Sequence, residues 1–239
     1  MRALVQQAKI HLRRAALGAG RIVGPHGSQQ LASVYGLYEI GAWMRDHCSR
    51  TPLIVGEEFD VYLVAAERMA TASRPLYLEF GVFQGRSLRW WSSHLMQPNA
   101  QLIGFDSFAG LPHDWIGDFA KGTLATSPPQ FDDPRVELVV GWFEDTLPTF
   151  VVPEHDRLLM NLDADVASST TTVFTHLARH VRAGDLLYFD EFQHGEHRVL
   201  IDCVSQHGWT VEPVAVSTSH AKWLFEVFSV PGGDRLATT

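Results

Sequence analysis

PLYLEFGVFQGRSLRWWSSHLMQPNAQLIGFDS, residues 75–107, reads as strand, glycine turn, helix and strand, with an acid near the end of each strand. PLYLEF is short, apolar and bounded by Pro75 and Gly81, which suits a strand covered on both faces of a parallel sheet. Gly81 and Gly85 bracket a tight turn, and the run 86–96 that follows is rich in helix-forming side chains. The second strand, QLIGFD, ends on Asp106, where folds of this kind present a carboxylate to ribose hydroxyls.

The turn decides which ligand fits. A dinucleotide fingerprint needs G-x-G-x-x-G so that backbone amides can approach a pyrophosphate. Here the run is G-V-F-Q-G, with Phe83 where the middle glycine belongs. Glu79, at the carboxyl end of the first strand, repels a pyrophosphate but pairs with an ammonium. S-adenosylmethionine offers an α-ammonium, a ribose diol and no phosphate. The same residues also suit an ordinary βαβ unit in which Glu79 is a solvated strand-end acid. On the first reading Glu79, Gly81, Gly85, Arg86, Ser87, Asp106 and Ser107 border the cofactor.

Bulk properties narrow the class. A chain of 239 residues, 46% hydrophobic and 19% charged, holds one large α/β domain with N-terminal additions. A net charge of -8 lacks the basic face that nucleic acid demands, so RNA and DNA are not favoured partners. Cys48 and Cys203 have neither metal nor redox-motif spacing and fit the reducing cytoplasm as free thiols. No run of about 18 apolar residues and no hydrophobic signal core is present, so the expectation is a soluble, unexported protein without a membrane partner.

Residues 1–72 carry helical rather than strand patterns and form an N-terminal extension or cap. The first stretch, with Arg2, Lys9, Arg13 and Arg14, is read as a solvated helix at the edge of a homo-oligomer or a frayed terminus, ahead of a membrane-surface helix. The second starts after Gly27 with Ser28 as N-cap, and brings Tyr35, Tyr38 and Trp43 either to an acceptor pocket or to the core. The main domain is expected over 73–230 and a disordered tail over 231–239.

Within the main domain, residues 107–135 are rich in Gly, Pro and Asp without sustained period, which marks a lid over the cofactor. A third strand is expected over 136–143, with Trp142 and Phe143 at its carboxyl end to stack on adenine or to pack in the core. A fourth strand, LLMNLD, ends at Asp163; a helix follows over about 168–181. The fifth, DLLYFDEF, carries Asp190 and Glu191. Parallel neighbours lie about 4.8 Å apart, so these terminal acids can converge. A last helix over 196–207 and a closing hairpin complete a sheet typical of methyltransferases; a dehydrogenase continues βαβ.

FGVFQGRS, GFDSFAGLPHDW, VVGWFEDTLP, LDADVASST and YFDEF stand in the order and spacing of the macrocin O-methyltransferase-like enzymes, and from about Leu76 to Gly208 the chain resembles that family. The resemblance implies a Rossmann-like class I methyltransferase fold, S-adenosylmethionine as cofactor, and O-methylation of a sugar or another small hydroxylated molecule in natural product biosynthesis, often with Mg²⁺. It implies metal ligation by Asp163, Asp190 and Glu191, which supply the oxygen donors Mg²⁺ prefers, and Asp163 as catalytic base. The chain departs from the family pattern at Ala167, where a tyrosine is usual, and at Asp190-Glu191, where Asp-Asp is common. His194 and His197 are candidates for a second base, a ligand or acceptor contacts, or are surface residues; Asp165 caps the turn after strand four or binds metal. Rival readings are methylation of a carboxylate or an amine with the same cofactor, a binding protein without turnover and, more distantly, a nicotinamide oxidoreductase.

Overall fold

All six side chains of Pro75–Phe80 are buried, as a strand covered on both faces requires. This strand lies near the middle of the sheet. The computed structural model describes residues 2–20, 24–111 and 120–232. The chain runs α1 (Arg2–Gly20), α2 (Pro25–His47), β1 (Leu53–Val55), α3 (Glu58–Met69), β2 (Pro75–Phe80), α4 (Arg86–His94), β3 (Gln101–Asp106), β4 (Val136–Val140), α5 (Phe143–Thr146), β5 (Arg157–Leu162), α6 (Ala167–Leu177), β6 (Leu186–Phe189), α7 (Glu196–His207), β7 (Thr210–Ser217) and β8 (Trp223–Ser229).

Among the described residues, eight strands form one sheet in the order β1-β7-β8-β6-β5-β2-β3-β4. β2 pairs in parallel with β3 and β5, whereas β8 runs antiparallel to β6 and β7. This is the expected Rossmann-like architecture, a mostly parallel sheet with an antiparallel hairpin and N-terminal helices. Alternation along β2 feeds two cores. Leu76, Leu78 and Phe80 join Phe105, Met160, Phe174 and Leu200 on the side of α6 and α7, while Tyr77 joins Tyr62, Trp91, Leu102 and Tyr188 on the side of α3 and α4. Each fully buried apolar side chain such as Phe80 or Leu102 contributes roughly 1.5–3 kcal/mol, which fixes the strand order that brings the acids to one edge.

Several sequence expectations are corrected. Leu53–Val55 is a strand, paired in parallel with β7 at the sheet edge, although residues 1–72 read as helical. α2 starts at Pro25 with Gly24 as N-cap, not at Ser28, because proline's fixed φ suits a first helical turn. β4 stops at Val140, since Gly141 leaves extended geometry at φ +150, so Trp142 is the N-cap of α5 and Phe143 its first residue. Tyr35 and Tyr38 are 56% and 72% exposed, while Trp43 packs on the core. The segment 107–135 is described only in part. Its flanks fold back on each other, with N–H donations from Leu111 to the Thr123 carbonyl (2.9 Å) and from Thr126 to the Phe108 carbonyl (3.1 Å); residues 112–119 of the expected lid lie outside the described residues, as do 233–239 of the expected tail. Cys48 and Cys203 are free thiols. No described helix is long and apolar enough to cross a membrane.

Candidate active site

The ends of β2 and β5 meet at Gly81. It has φ +101, and a Cβ there would lie 1.9 Å from the Asp163 carbonyl oxygen, so only glycine allows this approach. Two residues on, Phe83 holds φ +50 where β-carbon-bearing residues are rarely found. What holds the turn is Asp106. Its Oδ2 accepts the N–H groups of Val82 (2.9 Å) and Phe83 (2.8 Å), and its Oδ1 accepts that of Phe108 (2.7 Å). Hydrogen bonds to a carboxylate contribute about 1.5–3 kcal/mol each, enough to offset the roughly 1–3 kcal/mol of one strained residue. With two N–H groups on Oδ2 and one on Oδ1, it is Oδ1 that keeps a lone pair for a ribose hydroxyl.

Gly81, Phe83, Asp106, Trp142, Asp163 and Asp165 are among the residues lining a cleft of about 710 Å³ at the carboxyl ends of β2, β3, β4 and β5. That volume and position match a small-molecule site in an open α/β sheet. Arg86, Ser87, Ser107 and Phe143 also line it. Phe143 does double duty, with its ring edge-on to Phe80 at 5.8 Å in the core.

Glu79 is different. It is fully buried and absent from the cleft wall. Tyr77 donates its hydroxyl to Oε2 at 2.7 Å, and the Ser87 hydroxyl donates to Oε1. Burial pushes its carboxyl up to about 8 against the pull of these two hydroxyls. Glu79, expected to pair with an ammonium, does not line the cleft; it lies behind Ser87, which does.

Asp163, at the end of β5, is half-buried, and its carboxylate has no hydrogen-bond partner among the described residues. Burial, then the nearby Asp190, Asp165 and Glu79, hold it well above the ordinary carboxylate range. Asp165, in the left-handed region at φ +60, is pushed up to about 6 by burial and then by Glu191 and Asp190.

The other two expected metal ligands are engaged elsewhere. Lys222 donates from Nζ to Asp190 Oδ2 at 2.5 Å, and the Tyr188 hydroxyl donates to Asp190 Oδ1 at 3.2 Å. Glu191 Oε2 pairs with His194 Nδ1 at 2.8 Å, and that hydrogen bond lowers the carboxyl below its usual value. His197 is buried, bonded through Nδ1 to the Phe192 carbonyl and through Nε2 to Glu39. Among the described residues no three His, Cys, Asp or Glu side chains converge as metal ligands would. The expected trio Asp163, Asp190 and Glu191 does not fit a divalent ion, because two of its members are already bonded to a cation or a histidine.

Sequence reading missed Glu58, Asp165 as a cleft wall and Lys222. Glu58, on α3, lines the cleft and forms an ion pair with Arg86, whose guanidinium stacks on Phe59 at 5.0 Å. Nothing local in the sequence joins Glu58 to Arg86. The described lining carries the carboxyls of Glu58, Asp106, Glu144, Asp163 and Asp165 against the single cation Arg86, a field that attracts positively charged ligands.

Residues 78–192 match the sequence family described as a methyltransferase domain. No curated protein matches the chain. Among solved structures, the calicheamicin methyltransferase CalS11 superposes with a TM-score of 0.51 at 17% identity, over 71% of this chain and 80% of that one. Cofactor-bound Rv0187 from MTB gives a TM-score of 0.47 at 16% identity, over 87% and 91%. At these identities, the CalS11 likeness speaks to the fold.

Proposed function

We propose that this chain, an S-adenosylmethionine-dependent methyltransferase of the class I fold, methylates a hydroxyl of a sugar or another small molecule, with Asp163 as the base. The observation that carries this reading is the Asp163 carboxyl. It lines the cleft, lacks a hydrogen-bond partner among the described residues, and sits where β5 meets the glycine turn of β2. A hydroxyl is a weak nucleophile until its proton leaves, so a free base beside the donor is what O-methylation needs and what a carboxylate acceptor does not.

The cofactor is a net cation entering a cleft with more acids than cations. Its ribose suits the remaining lone pair on Asp106 Oδ1, and its adenine suits Trp142 and Phe143. The sulfonium also bears on catalysis. Burial and neighbouring acids hold the Asp163 carboxyl well above the ordinary carboxylate range; a bound sulfonium nearby would favour its ionised form, so the base would become competent with the donor in place. The hydroxyl proton then passes to Asp163, the oxygen forms a bond to the methyl carbon, and the carbon–sulfur bond breaks with its electron pair going to sulfur. The chain's work is alignment and proton removal.

Label transfer from S-[methyl-³H]adenosylmethionine to sugar nucleotides, glycosides and phenols tests this reading. Asp163→Asn is expected to lower transfer by at least ~10²-fold, the usual loss for a positioned base, with S-adenosylhomocysteine affinity kept. If Asp163→Asn transfers methyl as fast as wild type, the acceptor has no proton to lose, and carboxyl methylation replaces the hydroxyl reading.

A further inference from the structure

The acid cluster beside Asp163 contains a cation supplied by the chain itself. Lys222 stands at the entry to β8, where the hairpin turn returns towards β6. Its backbone is fixed on both sides: its N–H donates to Ser217 Oγ at 3.1 Å and its carbonyl accepts the Ser217 N–H at 3.0 Å. The carbonyl of Ala221, one residue earlier, accepts the N–H of Phe192 at 3.1 Å, which ties this turn to the segment just after Glu191. From that anchored backbone Nζ reaches Asp190 Oδ2 at 2.5 Å, with both side chains largely shielded, at 20% and 17% exposure. The other Asp190 oxygen holds the Tyr188 hydroxyl, and Glu191 holds His194.

A second cation does not fit there. Mg²⁺ requires near-octahedral oxygen donors at about 2.0–2.1 Å. An ion on Asp190 would lie within a few ångströms of Nζ, where two like charges in a largely shielded place repel strongly. The repulsion doubles for a divalent ion.

We propose that Lys222 is the resident cation of the acceptor side of this site, filling the place of a divalent metal and compensating Asp190 beside Asp163. It is a positioning residue: it fixes Asp190 and balances the acids while Asp163 takes the acceptor proton, and it keeps its own proton throughout. This rests on the proposed methyl transfer for its purpose, but it is testable without any acceptor.

Mn²⁺ binding followed by electron paramagnetic resonance, with S-adenosylhomocysteine present, reads the cation site directly. Wild type is expected to bind no stoichiometric Mn²⁺. Lys222→Ala, which exposes Asp190 beside Asp163 and Asp165, is expected to bind about one ion, with Asp190→Asn in the same background abolishing it. Lys222→Arg, keeping the charge, is expected to bind none. Calorimetric binding of S-adenosylhomocysteine checks that each variant is folded, and Lys222→Gln serves if the alanine variant is not. Stoichiometric Mn²⁺ in wild type that Asp190→Asn removes would overturn the proposal, as would folded alanine and glutamine variants that bind no Mn²⁺. Neither outcome touches the hydroxyl reading, whose failure appears in label transfer alone.

Discussion

Glu79 shows how a single residue can change its meaning between sequence and structure. A strand-end acid in a βαβ unit reads as a ligand for a cofactor cation. In the fold it points with Tyr77 into the α3/α4 side of the sheet, is 0% exposed, and is bonded by two hydroxyls. Its folded pKa, about 8, lies above the ordinary 4.5, so the native state holds a proton that the unfolded chain releases between these values. Below about pH 4.5 both states are protonated and the group contributes no pH dependence. Rising pH through the window then lowers stability, by up to about 1.4 kcal/mol per pH unit for one proton. Glu196, also about 8, and Asp185, about 7, add slopes of the same sign. The informative quantity is therefore the difference between Glu79→Gln and wild type. Urea unfolding at pH 5 and pH 8 is expected to show a shallower fall for Glu79→Gln; equal falls would mean that Glu79 is ionised in its buried position.

At the scale of elements, the β1–α3 unit is the least legible in sequence and yet it supplies a wall of the site. LIV is too short to show a period-2 pattern, and Leu53 and Ile54 are 58% and 60% exposed on an edge strand. What starts α3 is a reciprocal cap in which Asp60 Oδ2 accepts the Glu57 N–H at 2.9 Å. Gly56 is needed beside it, since a Cβ there would sit 2.0 Å from the same oxygen. Glu57 also accepts the Thr218 hydroxyl at 2.7 Å and the Ser219 hydroxyl at 3.1 Å, joining the helix start to the hairpin turn that carries Lys222. Asp60→Ala is expected to cost about 1 kcal/mol in denaturant midpoint analysis, as for the loss of a capping partner. No measurable cost would indicate that the contacts of Glu57 to the hairpin, not the cap, set the position of α3.

For the whole molecule, the site is a property of strand order. Seven strands that share one direction and one reversed strand, β8, bring the segments 53–58 and 217–222 to neighbouring places at one edge of the sheet. A ligand that binds only this assembled edge must stabilise the fold. At a concentration of 100 times its Kd, S-adenosylhomocysteine adds about 2.7 kcal/mol; at about 2–4 °C per kcal/mol for a chain of this size, melting should rise by roughly 5–10 °C. Scanning fluorimetry across a ligand titration checks this, and a melting temperature indifferent to ligand would count against the 710 Å³ cleft as the cofactor site.

The sequence by itself determined what neighbours in the chain decide. The β2–turn–α4–β3 unit, the acids at Asp106 and Asp163, helix α7 and the closing hairpin all follow from short apolar runs, glycines and helical spacing, which act over a few residues. Only the tertiary structure decided what depends on which strands lie side by side. Lys222 meets Asp190 across 32 residues and Arg86 meets Glu58 across 28, pairings with no local signature. Burial of Glu79 likewise required α4 to close over β2 and put Ser87 between the acid and the cleft. A carboxylate's role is set by how much water and which donors surround it, and those are fixed by packing, not by position in the chain.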